Sequence, residues 1–165
     1  MIPVISVVGY ANSGKTTLLV KLIKELKKRG FKVATIKHHH NNFEIDIPGK
    51  DTWRHAQAGA DTVVLASPGK VAVIERTQRE MTLDEIAGKI TGVDLIITEG
   101  FKKEHKPKIE VFRSETHDKL ITPPAELLAV VSDIDFADSP TFALDDAVGL
   151  VDFLSGKLSL PAPNL

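Results

Sequence analysis

Apolar and polar positions change period several times along this chain, and each change marks an element. Residues 2–8 form a nearly continuous β-branched run, the pattern of a strand buried on both faces. Over 17–29, Leu18, Leu19, Leu22, Ile23 and Leu26 recur at helical spacing with lysines opposite. Gly30 then stands where a helix closes. Residues 31–36 predict a second strand. Strand, loop, helix and strand in that order make a right-handed parallel βαβ unit. Residues 38–51, HHHNNFEIDIPGKD, are polar and carry a Pro-Gly pair, so they predict a loop. A short helix over 51–58 ends at Gly59. Strands over 62–66 and 71–75 are joined by the tight-turn sequence SPGK, which predicts a hairpin and a mixed sheet. Thr82-Leu83-Asp84-Glu85 is a capping box opening a helix over 83–90. Residues 95–98 are another buried strand. Residues 108–112 alternate weakly and predict a strand after a loop. Residues 127–132 are a further strand, and 145–154 a last helix, ended by Gly156. The elements predict an α/β fold in three layers with a mostly parallel sheet. One domain is expected over 1–156, with a loose tail over 157–165.

Composition narrows the partners. The chain has 165 residues, no cysteine, and 21 Lys and Arg against 22 Asp and Glu, for a net charge of −1. A thiolate metal site and a disulfide framework are therefore excluded. The charge balance lacks the basic excess of a nucleic-acid surface. No apolar run approaches the ~20 residues of a membrane span, and residues 1–9 lack the basic region and cleavage site of a leader. The expectation is a cytoplasmic protein that meets neither nucleic acid nor membrane.

The chemistry starts at GYANSGKTT, residues 9–17, which matches G-x-x-x-x-G-K-[ST]. A buried strand precedes it and an amphipathic helix opens at Gly14-Lys15, the context a phosphate-binding loop requires. Gly9 and Gly14 permit torsions closed to other residues. The N–H groups of the loop, with Asn12 and Ser13 in its bend, then point at phosphate oxygens, aided by the helix N-terminus. Lys15 would reach the β- and γ-phosphates, Thr16 would ligate Mg²⁺, and Thr17 would donate to the α-phosphate.

Such a loop needs an acidic partner for its metal. Residues 95–98 carry Glu99 to the C-terminal end of a strand, the edge where ligands bind in open α/β sheets. Glu99 is expected to hold Mg²⁺ directly or through a water, and Gly100 allows a sharp turn beside it. Asp94 starts the same strand and belongs to the far edge. Adjacent residues of an extended chain point to opposite sides, so His38, His39 and His40 cannot share one ion. His38 and His40 could, with Asp46 or Asp51 as a third ligand. With no thiolate in support, a polar loop facing phosphate, Mg²⁺ or a partner is the preferred reading. Trp53 reads as helix-face packing. The N-K-x-D guanine motif is missing. Asp133, just beyond a strand end, could accept the guanine N1–H and N2–H₂ donors or serve as a cap or turn acid.

Taken together, GYANSGKTTL, TIKHHH, DIPGKDTWRHAQAGAD and VDLIITEGFKK resemble the molybdopterin-guanine dinucleotide biosynthesis protein B (MobB) family over about residues 4–132. The loop alone is shared with many NTPases; its combination with PGKDTWRHAQAGA and TEGFK is much more specific. The resemblance implies a P-loop NTPase fold, GTP and Mg²⁺ as cofactors, weak GTPase activity at most, and a homodimer. It further implies a role in molybdenum cofactor biosynthesis, assisting the guanylyltransferase that joins GMP to molybdopterin, with molybdopterin itself a candidate ligand. Gly9, Asn12, Ser13, Gly14, Lys15, Thr16 and Thr17 match the family's nucleotide loop, Glu99 its second acidic motif, and Asp46, Lys50 and Asp51 its polar loop. Tyr10 stands where one branch of these GTPases carries a second lysine. Two other functions compete. A small kinase would need an arginine-bearing lid such as Arg76 and Arg79. A metal-insertion GTPase would use His38 to His40.

Overall fold

The computed structural model describes residues 1–160. In chain order the elements are β1 (Val4–Val8), α1 (Lys15–Lys28), β2 (Val33–Lys37), α2 (Asp51–Gln57), β3 (Thr62–Ser67), β4 (Lys70–Glu75) and α3 (Leu83–Gly88). They continue with β5 (Leu95–Glu99), β6 (Lys108–Val111), a 3-10 turn (Pro124–Glu126), β7 (Leu127–Ser132), β8 (Thr141–Ala143) and α4 (Ala147–Lys157). They fall into two compact units: Met1–His38 together with the chain from Leu83 onward, and His39–Thr82.

The larger unit holds a six-stranded sheet in the order β2-β5-β1-β6-β7-β8, with every neighbouring pair parallel. Side chains two apart share a face. Ile5 and Val7, Leu95 and Ile97, Ile109 and Val111, and Ala129 and Val131 accordingly enter one core with Leu18, Leu19, Leu22 and Leu26 of α1 and Leu150, Val151 and Leu154 of α4. The helical stripe expected over 17–29 is thus the buried face of α1. That helix closes as expected at Gly30, whose φ is +84°. The Phe31 N–H reaches the Leu26 carbonyl and the Gly30 N–H the Lys27 carbonyl, the two bonds that satisfy a helix end turning through a left-handed glycine.

The smaller unit contains α2 and the expected hairpin. The hairpin pairs only with itself: β3 and β4 form their own antiparallel sheet, in register from Thr62↔Glu75 to Ser67↔Lys70. The expected mixing of one sheet therefore resolves into two sheets, one parallel and one antiparallel. Val63 is buried, whereas Val64, Leu65, Val71 and Val73 are exposed, so the strand period was legible but not its lack of a third partner.

Three further differences have local causes. The strand expected over 108–112 alternates only weakly, with Lys108 and Glu110 between apolar neighbours, a pattern that does not disclose its burial. β6 is instead buried along its whole length, next to β1, and both charges are tied down. Lys108 Nζ donates to the Glu104 and Lys106 carbonyls and to Glu126. Glu110 accepts the backbone N–H groups of Ile121 at 2.8 Å and Thr122 at 2.9 Å. The last helix begins two residues later than expected, at Ala147, capped by the Asp146 carboxylate accepting from the Gly149 N–H. It runs through Gly156 to Lys157, because glycine in a final turn weakens a helix without ending it. β8, three residues long, is too short to show a period. The tail expected over 157–165 starts inside α4, and its residues 161–165 lie outside those described. Among the described residues no helix is long and apolar enough to cross a membrane.

Candidate functional site

The C-terminal edge of the parallel sheet gathers the chemistry. β1 runs into the loop 9–14, β5 ends on Glu99, β6 is followed by Phe112 and Arg113, and β7 by Asp133. The loop's backbone explains its glycines. Gly9 has φ +143° and Gly14 φ +102°, and Asn12 is left-handed at +61°. A Cβ on Gly9 would stand 2.5 Å from the Val111 carbonyl oxygen, so the loop fits against the end of β6 only without a side chain there. Ser13 is fully buried, and its Oγ has no hydrogen-bond partner among the described residues.

α1 begins at Lys15, so Lys15, Thr16 and Thr17 occupy its first turn, where free N–H groups favour an anion. The Lys15 ammonium donates to the carbonyls of Gly9, at 3.1 Å, and of Tyr10. Burial pushes its pKa below the ordinary lysine range; Glu99 pulls it back up, and Lys37 adds to the lowering. Thr16 and Thr17 are exposed at the helix start.

Period two along β5 places Leu95, Ile97 and Glu99 on the face that packs against α1. Glu99 therefore meets the helix's first turn: its Oε1 accepts from the Thr16 hydroxyl at 2.9 Å. Lys37, its register partner on β2, lies 3.5 Å from the same oxygen. A hydroxyl and a carboxylate side by side are hard oxygen donors, the set a small divalent cation such as Mg²⁺ takes with phosphate and water. The pair expected from sequence as metal-binding is thus brought together, and its chemistry fits that ion. Gly100 turns the chain at φ +99°, and a Cβ there would lie 3.2 Å from His38 Cβ. The His38 ring packs on Phe101 with centroids 4.7 Å apart, and the His38 backbone N–H donates to the Glu99 carbonyl. Asp94 sits at the opposite edge as expected, its carboxylate accepting from the Lys32 N–H at 2.7 Å.

Asp133 lies just past β7, and Ser114 engages both its carboxylate oxygens, through N–H and through Oγ, each at 2.9 Å. The Ser114 backbone N–H, above all, holds that carboxyl below the usual aspartate range. Arg113 is a site residue that sequence reasoning did not single out. Its Nε donates to the Ser13 carbonyl at 3.1 Å, and its Nη2 lies 3.5 Å from where a Gly14 Cβ would be. A lone arginine after a weakly patterned strand carries no signal of this placement. Tyr10 stacks on His117 at 4.0 Å. A cavity of about 450 Å³ opens beside the loop, lined by Gly9, Tyr10, Ala11, Lys102, Lys103 and Thr122 among others.

In the smaller unit, Trp53 Nε1 donates to Glu44 at 3.3 Å, and Asp46 accepts from the Ile47 N–H at 2.7 Å. Lys50 occupies the position before α2 without a side-chain capping bond, and Asp51 lies in its first turn. Arg76 donates to the Ala56 carbonyl, at the end of α2. Among the described residues no three His, Asp or Glu side chains gather as a metal-binding cluster.

The chain is similar to known proteins over most of its length. A family model described as "Molybdopterin guanine dinucleotide synthesis protein B" matches residues 4–133. A Haemophilus influenzae protein named molybdopterin-guanine dinucleotide biosynthesis adapter protein is 42% identical over 79% of this chain and 75% of its own. An Escherichia coli protein of the same name is 36% identical over 93% of this chain and 92% of its own. The crystal structure of Bacillus subtilis MobB superposes with a TM-score of 0.75 at 28% identity, covering 93% of this chain and 97% of that one.

Proposed function

The chain belongs to the molybdopterin guanine dinucleotide synthesis protein B family, and from that premise we propose that it is an adapter in the making of the guanine dinucleotide form of the molybdenum cofactor. In this reading it binds GTP with Mg²⁺, hydrolyses it slowly, and works as a homodimer beside the guanylyltransferase that joins GMP to molybdopterin. The observation that carries the nucleotide part is the contact between Thr16 and Glu99 at the mouth of the phosphate loop. It puts two hard oxygen donors at the mouth of the loop, in and beside the first turn of α1 with its free N–H groups, where they would suit a metal ion on a β,γ-phosphate. The guanine preference follows from the product the family is named for.

The roles divide by element. Loop amides and the α1 N-terminus hold phosphate oxygens, and Lys15 turns from the Gly9 and Tyr10 carbonyls to the phosphates. Thr16 and Glu99 would hold Mg²⁺, which would neutralise charge between the β- and γ-phosphates. Glu99 would be a ligand, not a general base, because its carboxylate is directed at Thr16 and Lys37. Arg76, offered by sequence as part of a kinase lid, is bonded to α2.

The test is steady-state GTP consumption by the protein alone, with small-molecule acceptors, and with the guanylyltransferase and molybdopterin. Slow basal turnover together with faster formation of the guanine dinucleotide is expected. Phosphoryl transfer to a small acceptor at ~1–100 per second, without effect on the transferase, would replace the adapter with a kinase.

A further inference from the structure

The last residue of β6 and the stretch just beyond it touch the phosphate loop at both ends. At one end, the Val111 carbonyl lies so close to Gly9 that a Cβ would come within 2.5 Å of its oxygen. At the other end, Arg113 Nε donates to the Ser13 carbonyl at 3.1 Å. That carbonyl and the Gly14 N–H belong to one peptide unit. The unit is planar and trans, so its C=O and N–H point in opposite directions. An arginine that draws the Ser13 oxygen to one side therefore turns the Gly14 N–H to the other.

Arg113 is itself held. Ser114, its neighbour, gives both N–H and Oγ to the Asp133 carboxylate. A charge-assisted pair of this kind is stronger than a bond between neutral groups. The links run from Asp133 through Ser114 and Arg113 to Ser13, and so to the amide of Gly14.

We propose that Arg113 is a positioning residue of the phosphate loop, which aims the Gly14 amide at phosphate by holding the Ser13 carbonyl. We propose also that Asp133 braces the segment carrying Arg113 and does not read the base. The inference rests on the phosphate-loop reading above and adds a residue that reading did not use. A positioning role differs from a direct charge contact with phosphate in what a substitution keeps. The side-chain nitrogen of glutamine stands the same number of bonds from Cα as Arg Nε, so Arg113→Gln keeps a donor to Ser13 without the charge. Arg113→Lys keeps the charge and loses the planar fork. Arg113→Ala removes both.

The experiment titrates the three variants and the wild type with GTP and with inorganic pyrophosphate. It also records the Gly14 amide resonance and its hydrogen exchange in the nucleotide-free proteins, with melting temperatures alongside. Arg113→Ala is expected to weaken both ligands by ~10-fold, the scale of one hydrogen bond made to order a site. It should also shift the Gly14 amide and speed its exchange. Arg113→Gln should stay within about threefold of wild type and keep the Gly14 resonance in place. Arg113→Lys close to wild type with Arg113→Gln as weak as Arg113→Ala would overturn the proposal in favour of direct charge contact. So would a Gly14 amide indifferent to Arg113→Ala. Failure of the wild type to bind GTP or pyrophosphate would sink the nucleotide reading, while the Gly14 amide would still decide the brace.

Discussion

The Thr16 hydroxyl donates to the Glu99 carboxylate at 2.9 Å across 83 residues of sequence. Neither residue alone marks a site. Period two along β5 puts Glu99 on the α1 face, and the glycine turn at Gly14 starts the helix so that Thr16 lies in its first turn. Two oxygen donors then meet beside a row of free N–H groups. Lys37, 3.5 Å from the same carboxylate, supplies positive charge at this place.

Replacing either member of that pair should separate metal from nucleotide. Glu99→Gln keeps the shape and an acceptor for Thr16 but removes the charge a divalent ion needs. Mg²⁺-dependent GTP affinity and turnover should fall, while affinity measured in EDTA should change little. Thr16→Ala should behave the same way. Calorimetry with and without Mg²⁺ checks this, and equal losses in both buffers would show that Glu99 shapes the loop instead.

Lys15→Ala removes the loop's own cation. GTP binding should weaken by roughly 2–4 kcal/mol, the scale for truncating one partner of a largely desolvated charge pair. Among the described residues Lys15 bonds to the Gly9 and Tyr10 carbonyls, and it stands outside the core, so folding should persist. The circular dichroism spectrum should be unchanged. Wild-type GTP affinity in this variant would remove the phosphate loop from the proposed function.

Asp133→Ala tells base reading from bracing. A carboxylate that accepts guanine's donors makes GTP tighter than ATP, and its loss narrows that ratio. A carboxylate that holds Ser114 gives a different result: GTP and ATP weaken together, by a few-fold, and their ratio stays put. The structure has both oxygens on Ser114, so the second outcome is expected in competition binding with the two nucleotides.

The phosphate loop and the βαβ unit around it were legible because glycine spacing and two periodicities agree over residues 2–36. Glu99 was legible from place alone, as the last residue of a buried run. Arg113 was not, because its meaning comes from β6 lying next to β1 in the sheet, which sequence order does not disclose. The burial of Lys108 and Glu110 was not legible either. Alternating charges normally mark a solvated face, but here carbonyls, a carboxylate and two backbone N–H groups meet them inside. Their partners come from the loops at 104–106 and 121–126, whose return to β6 follows from tertiary packing.

Those buried charges also predict an acid limb in the stability of the protein. The Glu126 carboxylate takes a hydrogen bond from Lys108 and, second, one from His105, and both hold its pKa below the ordinary 4.5. A carboxylate depressed in the folded state favours folding at pH values above its unfolded pKa. That contribution is lost as pH falls through the folded value. Urea unfolding of the wild type should therefore show stability declining from about pH 4.5 downward, where protonation would release Glu126. Glu126→Gln should be the less stable protein at pH 7, and the two curves should converge in acid. The pair with Lys108 should dominate, since the Lys108 side chain is 1% exposed while that of His105 is 93% exposed. His105→Ala should consequently leave the acid limb almost in place. A gap between wild type and Glu126→Gln that is as wide at pH 3 as at pH 7 would mean that the carboxylate's charge is not what holds Lys108. The two loop carbonyls, from Glu104 and Lys106, would then be enough to keep that ammonium inside the sheet.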